Sequence, residues 1–257
     1  SLNFAGYLSG SIFSIFVKDI NFKVYLYRFG IFLAISTTFI LAYSDNNTLW
    51  MIGRVLAGFA GAMCLIVGTS IVMQKLTIKS KTKAMGIHFS GIGFSILTTD
   101  LLARFVLSLN YSWRDSWAVL AVFAIILSLY SVYILSFDKE VKQNAVKVKF
   151  DISIFTPFVI VLIIAYFTEG VGFVVQATFL PDIINNLKGL EGYGSLTWTL
   201  VGVAGIPSCI IWMLLAHRFG SSNIIIIALL LQAVGILIPA FSSNIYLNLL
   251  SGVLYGG

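Results

Sequence analysis

The feature that most constrains this chain is a series of long apolar runs, each close to the length of a bilayer crossing and separated by polar breaks of only a few residues. A helix rises 1.5 Å per residue, so a hydrocarbon layer of about 30 Å takes roughly 20 apolar residues. Runs of that kind cover 24–43, 50–74, 84–109, 114–136, 154–180, 194–216 and 222–241, with shorter ones at 1–17 and from 245 to the end. The breaks include Lys18-Asp19-Ile20-Asn21, Ser44-Asp45-Asn46-Asn47, Lys79-Ser80-Lys81-Thr82-Lys83 and Ser242-Ser243-Asn244. Connections this short place consecutive helices antiparallel. Barrel strands would instead alternate in polarity over about ten residues, and no such pattern occurs. In lipid each peptide group must find its partner inside the segment, so the sequence predicts an all-α integral membrane protein.

Composition agrees with lipid as the main solvent. The 257 residues are 59% hydrophobic and 10% charged, with a mean hydropathy of +0.98, whereas soluble domains carry about 25% charged residues. The net charge of +6 would suggest nucleic acid in a soluble protein; here it reflects loop lysines, and no nucleic-acid partner is expected. Counted on alternate sides of the predicted spans, one side receives Lys18, Lys23, Arg28, Lys75, Lys79, Lys81, Lys83, Lys139, Lys142, Lys147, Lys149 and Arg218, and the other only Arg114 and Lys188. Basic residues collect on the cytoplasmic side, so the lysine-rich loops are expected there and residue 1 outside. One more helix is then expected upstream. The expected organisation is an N-terminal helical half, 1–136, lacking its first helix, a cytoplasmic linker, 137–153, and a partial C-terminal half, 154–257.

Enzyme chemistry finds little support. Cys64 and Cys209 lie inside apolar runs and read as packing residues, and His88 and His217 have no metal-ligand spacing. No phosphate-binding G-x-x-x-x-G-K-[ST] loop is present. Neither a metal nor a cofactor is expected.

Several segments carry a family resemblance. Tyr166-Phe167-Thr168-Glu169-Gly170-Val171-Gly172-Phe173 with Thr178-Phe179-Leu180-Pro181 is one, and Gly205-Ile206-Pro207-Ser208-Cys209 leading to Ala216-His217-Arg218-Phe219-Gly220 is another. Leu230-Leu231-Gln232-Ala233-Val234-Gly235 and Gly91-Ile92-Gly93 add to them. Together these resemble the major facilitator superfamily, and more narrowly its bacterial YbfB/YjiJ-type members. The resemblance implies an MFS-type helical bundle of two six-helix halves with a cavity between them, of which this chain is a fragment covering about helices 2 to 10 of 12. It implies a secondary active transporter of a small organic solute working by alternating access and coupled to protons, with efflux as one of two open directions. A multi-pass monomer in the bacterial inner membrane is expected, its partners being the solute, protons and lipid. A non-transporting membrane sensor or scaffold on the same fold is the alternative. The superfamily's cytoplasmic loop motif, G-x-L-A-D-R-x-G-R-R, has a counterpart at Met213 to Ser222, with His217 at the acidic position. It marks His217, Arg218 and Gly220 as candidates for a gating loop.

A charge inside the bilayer is costly unless it is paired or faces water, which singles out Arg54, Asp100, Arg104 and Glu169. Arg54, with Gly58 four residues on, resembles the superfamily's R-x-x-x-G motif, whose arginine is associated with coupling; snorkelling to the headgroups is the other reading. Asp100 and Arg104 are four apart and share a helix face, either as a structural pair or as cavity groups. Glu169 lies roughly 15 residues, about 22 Å, into its run. Low dielectric favours the neutral acid of a carboxyl group, the property a protonatable coupling site needs; a hydrogen bond to a neighbouring helix is the alternative. Phe173 and Gln176, four and seven residues beyond, fall on the same stripe, which reads either as a cavity wall or as ordinary packing.

Overall fold

Seven helices of the computed structural model, which describes residues 2–75, 81–134 and 155–257, are long and apolar enough to cross a bilayer. In chain order the elements are α1 (Leu2–Ile15), α2 (Ile20–Tyr43), α3 (Asn47–Ala62), a π turn (Met63–Val67), α4 (Gly68–Lys75), α5 (Lys81–Ser108), α6 (Trp113–Ile134), α7 (Pro157–Asn185), α8 (Gly194–Phe219), α9 (Ser221–Phe241) and α10 (Ile245–Gly256). The stretch from α3 to α4 forms a single span, Asn47–Gln74. No strand occurs among the described residues, as the apolar runs predict. The expected linker, 137–153, lies outside the described residues.

The polar breaks do more than reverse the chain. The first N–H groups of a helix have no partner within it, and the break residues supply one. Asp19 accepts from Phe22 N–H at 2.7 Å, Asn46 from Thr48 and Leu49, Thr156 from Val159 and Asn244 from Tyr246 and Leu247. At α2 and α3 the capped start lies outside the apolar run, at Ile20 and Asn47, whereas the Thr156 cap starts α7 inside its run, at Pro157. The largest departure is at the end of α7, which the run places at 180. The helix continues through Pro181 to Asn185, although the proline has no N–H to give to the preceding turn. Asn185 then closes the turn, its side-chain oxygen accepting from Gly192 N–H at 3.1 Å and Gly194 N–H at 2.9 Å.

Much of the apolar surface faces outward. Tyr133 is 88% exposed, Phe241 84% and Tyr166 77%, values that suit contact with lipid chains. Two compact units form, with the division inside α5. The first takes α1 to α4, the end of α5 from Leu101 and α6; the second takes α5 up to Asp100 together with α7 to α10. The first is centred on Val24, Met63, Val67 and Ile71, and the second on Leu180, Ile184, Val201 and Tyr255. In the second, α10 lies close on α8 because a Cβ at Gly252 would stand only 2.7 Å from the Thr197 carbonyl oxygen. That approach brings Tyr255 toward α7.

Candidate functional site

The second unit holds a cavity of about 590 Å³ walled by α7, α8, α9 and α10. Glu169 and Phe173, one turn apart on α7, supply one wall. Ser208 and Trp212 come from α8, Gln232 from α9 and Tyr255 from α10. Three contacts fix this geometry. The Ser251 hydroxyl donates to the Gly235 carbonyl at 2.6 Å, tying α10 to α9. The Tyr255 hydroxyl donates to the Phe173 carbonyl at 3.0 Å, tying α10 to α7, with the two rings 5.6 Å apart. Gln232 Nε2 donates to Glu169 Oε1 at 3.4 Å, a long bond that joins α9 to α7.

Among the described residues, Glu169 is the single charged side chain of this wall. It stands twelve residues after Pro157, the start of α7, so it lies about 18 Å along a helix of roughly 43 Å. The helix begins later and ends later than the apolar run, so Glu169 falls on the N-terminal side of its midpoint instead of the C-terminal side. The same Glu169 and Gln232 also line a smaller cavity of about 280 Å³ with Ala165, Thr168, Gly172 and Ile236. The pair therefore touches open space on two sides.

The other sequence candidates do not line this wall. Gln176 is 3% exposed and donates to the Ile236 carbonyl at 3.1 Å, so its amide serves the α7 to α9 contact and does not line the cavity. Arg54 lies on an exposed face of α3, seven residues in from Asn47, with its guanidinium 5.7 Å from the Trp117 ring. Asp100, half-buried on α5, accepts from the Thr199 hydroxyl at 2.7 Å. Arg104 is half-buried one turn further along α5. His217 and Arg218 are exposed in the last turn of α8, and Gly220 ends it with φ at +88°. That left-handed conformation is open to glycine and strained for most other residues, which explains the glycine of the loop motif.

Ser208, Trp212, Gln232 and Tyr255 of the wall are absent from the sequence candidates. Gln232 had a visible signal, a lone amide in the middle of the most apolar span. Trp212 and Tyr255 had none, because aromatic residues in apolar helices face lipid, core or cavity with the same local pattern.

Over residues 1–257 the chain matches the family described as "Uncharacterised MFS-type transporter YbfB". It is also 25% identical over 129 residues to the "Protein TsgA homolog" of Buchnera aphidicola subsp. Baizongia pistaciae (strain Bp), a match covering 50% of this chain and 33% of that protein. The matched part thus spans about a third of the length of this relative.

Proposed function

This chain belongs to the YbfB-type family of MFS transporters, and from that premise we propose that it works as a secondary active transporter of a small organic solute, by alternating access and with proton coupling. The observation that carries this reading is the cavity of about 590 Å³ with one carboxylate, Glu169, in its wall near the middle of a spanning helix. A volume of this order suits a small organic molecule. A carboxylate beside such a space can take and release a proton as water access changes, and its hydrogen bond from Gln232 supplies an internal partner for the charged form.

The multi-pass chain has its lysine-rich breaks facing the cytoplasm of a bacterial inner membrane in this reading, on the strength of the twelve-to-two distribution of basic residues between the two sides. His217, Arg218 and Gly220, at the α8 to α9 connection, act in the gating loop. Arg54, Asp100 and Arg104 tune coupling from their own helices rather than from the cavity.

The test is flux in proteoliposomes under an imposed pH gradient. Uptake or release that follows the gradient in the unaltered protein, and collapses in Glu169→Gln with insertion intact, is the expected result. Undiminished gradient-driven flux in Glu169→Gln removes Glu169 from coupling, and solute binding without flux favours a sensor on the same fold.

A further inference from the structure

The polar groups of the cavity wall are spent unevenly. The Tyr255 hydroxyl is used by the Phe173 carbonyl at 3.0 Å, and the Ser208 hydroxyl by the Gly205 carbonyl at 3.1 Å. Gln232 gives a hydrogen to Glu169 Oε1. The strong acceptors, by contrast, are left over. Glu169 Oε2 and the Gln232 side-chain carbonyl have no hydrogen bond among the described residues. An occupant must therefore bring donors or positive charge, since the wall offers few donors of its own.

Charge sorts the possibilities further. Among the described residues the wall contains no Lys, Arg or His. An anion entering it would meet the Glu169 carboxylate with nothing to offset the repulsion, at a depth where water screens poorly. A cation meets a carboxylate and the aromatic side chains of Phe173 and Trp212, and aromatic rings attract positive charge, while Tyr255, 7% exposed, backs Phe173 from the core. The remaining wall, including Ile211, Leu231 and Val253, is apolar and suits a hydrocarbon body.

We infer that this cavity takes a lipophilic organic cation, an ammonium or quaternary centre carried on an apolar or aromatic body, with Glu169 as its counter-ion. The inference rests on the proposed role of the cavity as the solute site, and names the chemical class that site accepts.

Two ions of matched shape and opposite charge test it. Equilibrium dialysis of tetraphenylphosphonium and of tetraphenylborate against purified, detergent-solubilised protein, with protein-free micelles as the baseline, measures binding without any gradient. Tetraphenylphosphonium is expected to bind saturably and tetraphenylborate not. Glu169→Gln is expected to weaken the cation at least about tenfold, as loss of one partner of a charge pair does. The double variant Glu169→Gln with Gln232→Glu moves the carboxylate across the pair and is expected to restore binding, which separates lost charge from lost fold. Equal binding of both ions, cation binding unchanged in Glu169→Gln, or no rebinding by a double variant of intact helical content overturns the cation assignment. Failure of the transport reading looks different: cation binding persists while pH-driven flux is absent.

Discussion

Asp45 in the first unit and Glu169 in the second are both carboxylates with a nitrogen partner on another helix, yet they are held in contrasting ways. Asp45 lies in the α2 to α3 connection, its side chain 79% exposed, and pairs with Arg114 at the start of α6. Around them, Arg114 lies 5.1 Å from the Trp113 ring, Trp113 meets Trp50 edge-on at 5.7 Å, and the Trp50 indole N–H donates to the Ser44 carbonyl at 2.7 Å. Lys23, near the other end of α2, donates to the Ser70 hydroxyl at 2.8 Å. Glu169 is half-buried mid-helix, with a neutral amide at 3.4 Å and open space on two sides. The first unit thus uses these charges as anchors near helix ends, where water shares the cost. In the second, a charge stands where water is scarce and its partner is weak, an arrangement that packing alone does not require.

The largest effect that sharpens this contrast is on flux. Glu169→Gln should lower gradient-driven transport by about a hundredfold, equivalent to ~2.7 kcal/mol, while Asp45→Asn should leave transport within about twofold; comparable losses in the two variants would break the comparison. Next comes packing in the second unit. Gly252→Ala forces a Cβ to within 2.7 Å of the Thr197 carbonyl oxygen, an overpacking cost of about 2 kcal/mol, read as a lower unfolding midpoint in detergent. Tyr255→Phe removes the hydroxyl that holds α10 to the Phe173 carbonyl and should cost about 1 kcal/mol by the same measurement.

The smallest effect concerns pH and Asp45. Hydrogen bonding and charge from Arg114 hold its carboxyl below the ordinary value of 3.8. A depressed folded value means that the pair contributes in full above that ordinary value and is lost as pH falls through the depressed one. The difference in unfolding midpoint between the unaltered protein and Asp45→Asn should therefore shrink on acidification below about pH 4. It should also shrink with added salt, since exposed pairs are screened. A difference that grows in acid would contradict this account.

How far the sequence could be read follows from what each signal measures. Span length and hydropathy are properties of single helices, so all seven crossings are legible in the order of residues alone. Glu169 is visible for a related reason, because an ionisable group in an apolar run is costly wherever the run ends up. Gln176 shows where that logic stops. Its spacing from Glu169 does put it on the same stripe of α7, but at that height the neighbour is the Ile236 carbonyl of α9. Which helix covers which height of a stripe is decided by interhelical approach. At Gly252 and Gly235 that approach depends on contacts with distant residues, and Trp212 and Tyr255 gain their places in the wall by the same route.

Gly220 is the entire connection between α8 and α9, and one residue has only two soft torsions. There is no slack to absorb a sliding of one helix past the other at this end. Displacing the end of α8 must therefore carry the base of α9 with it, while the two torsions at Gly220 leave the angle between the helices as the one freedom at this joint.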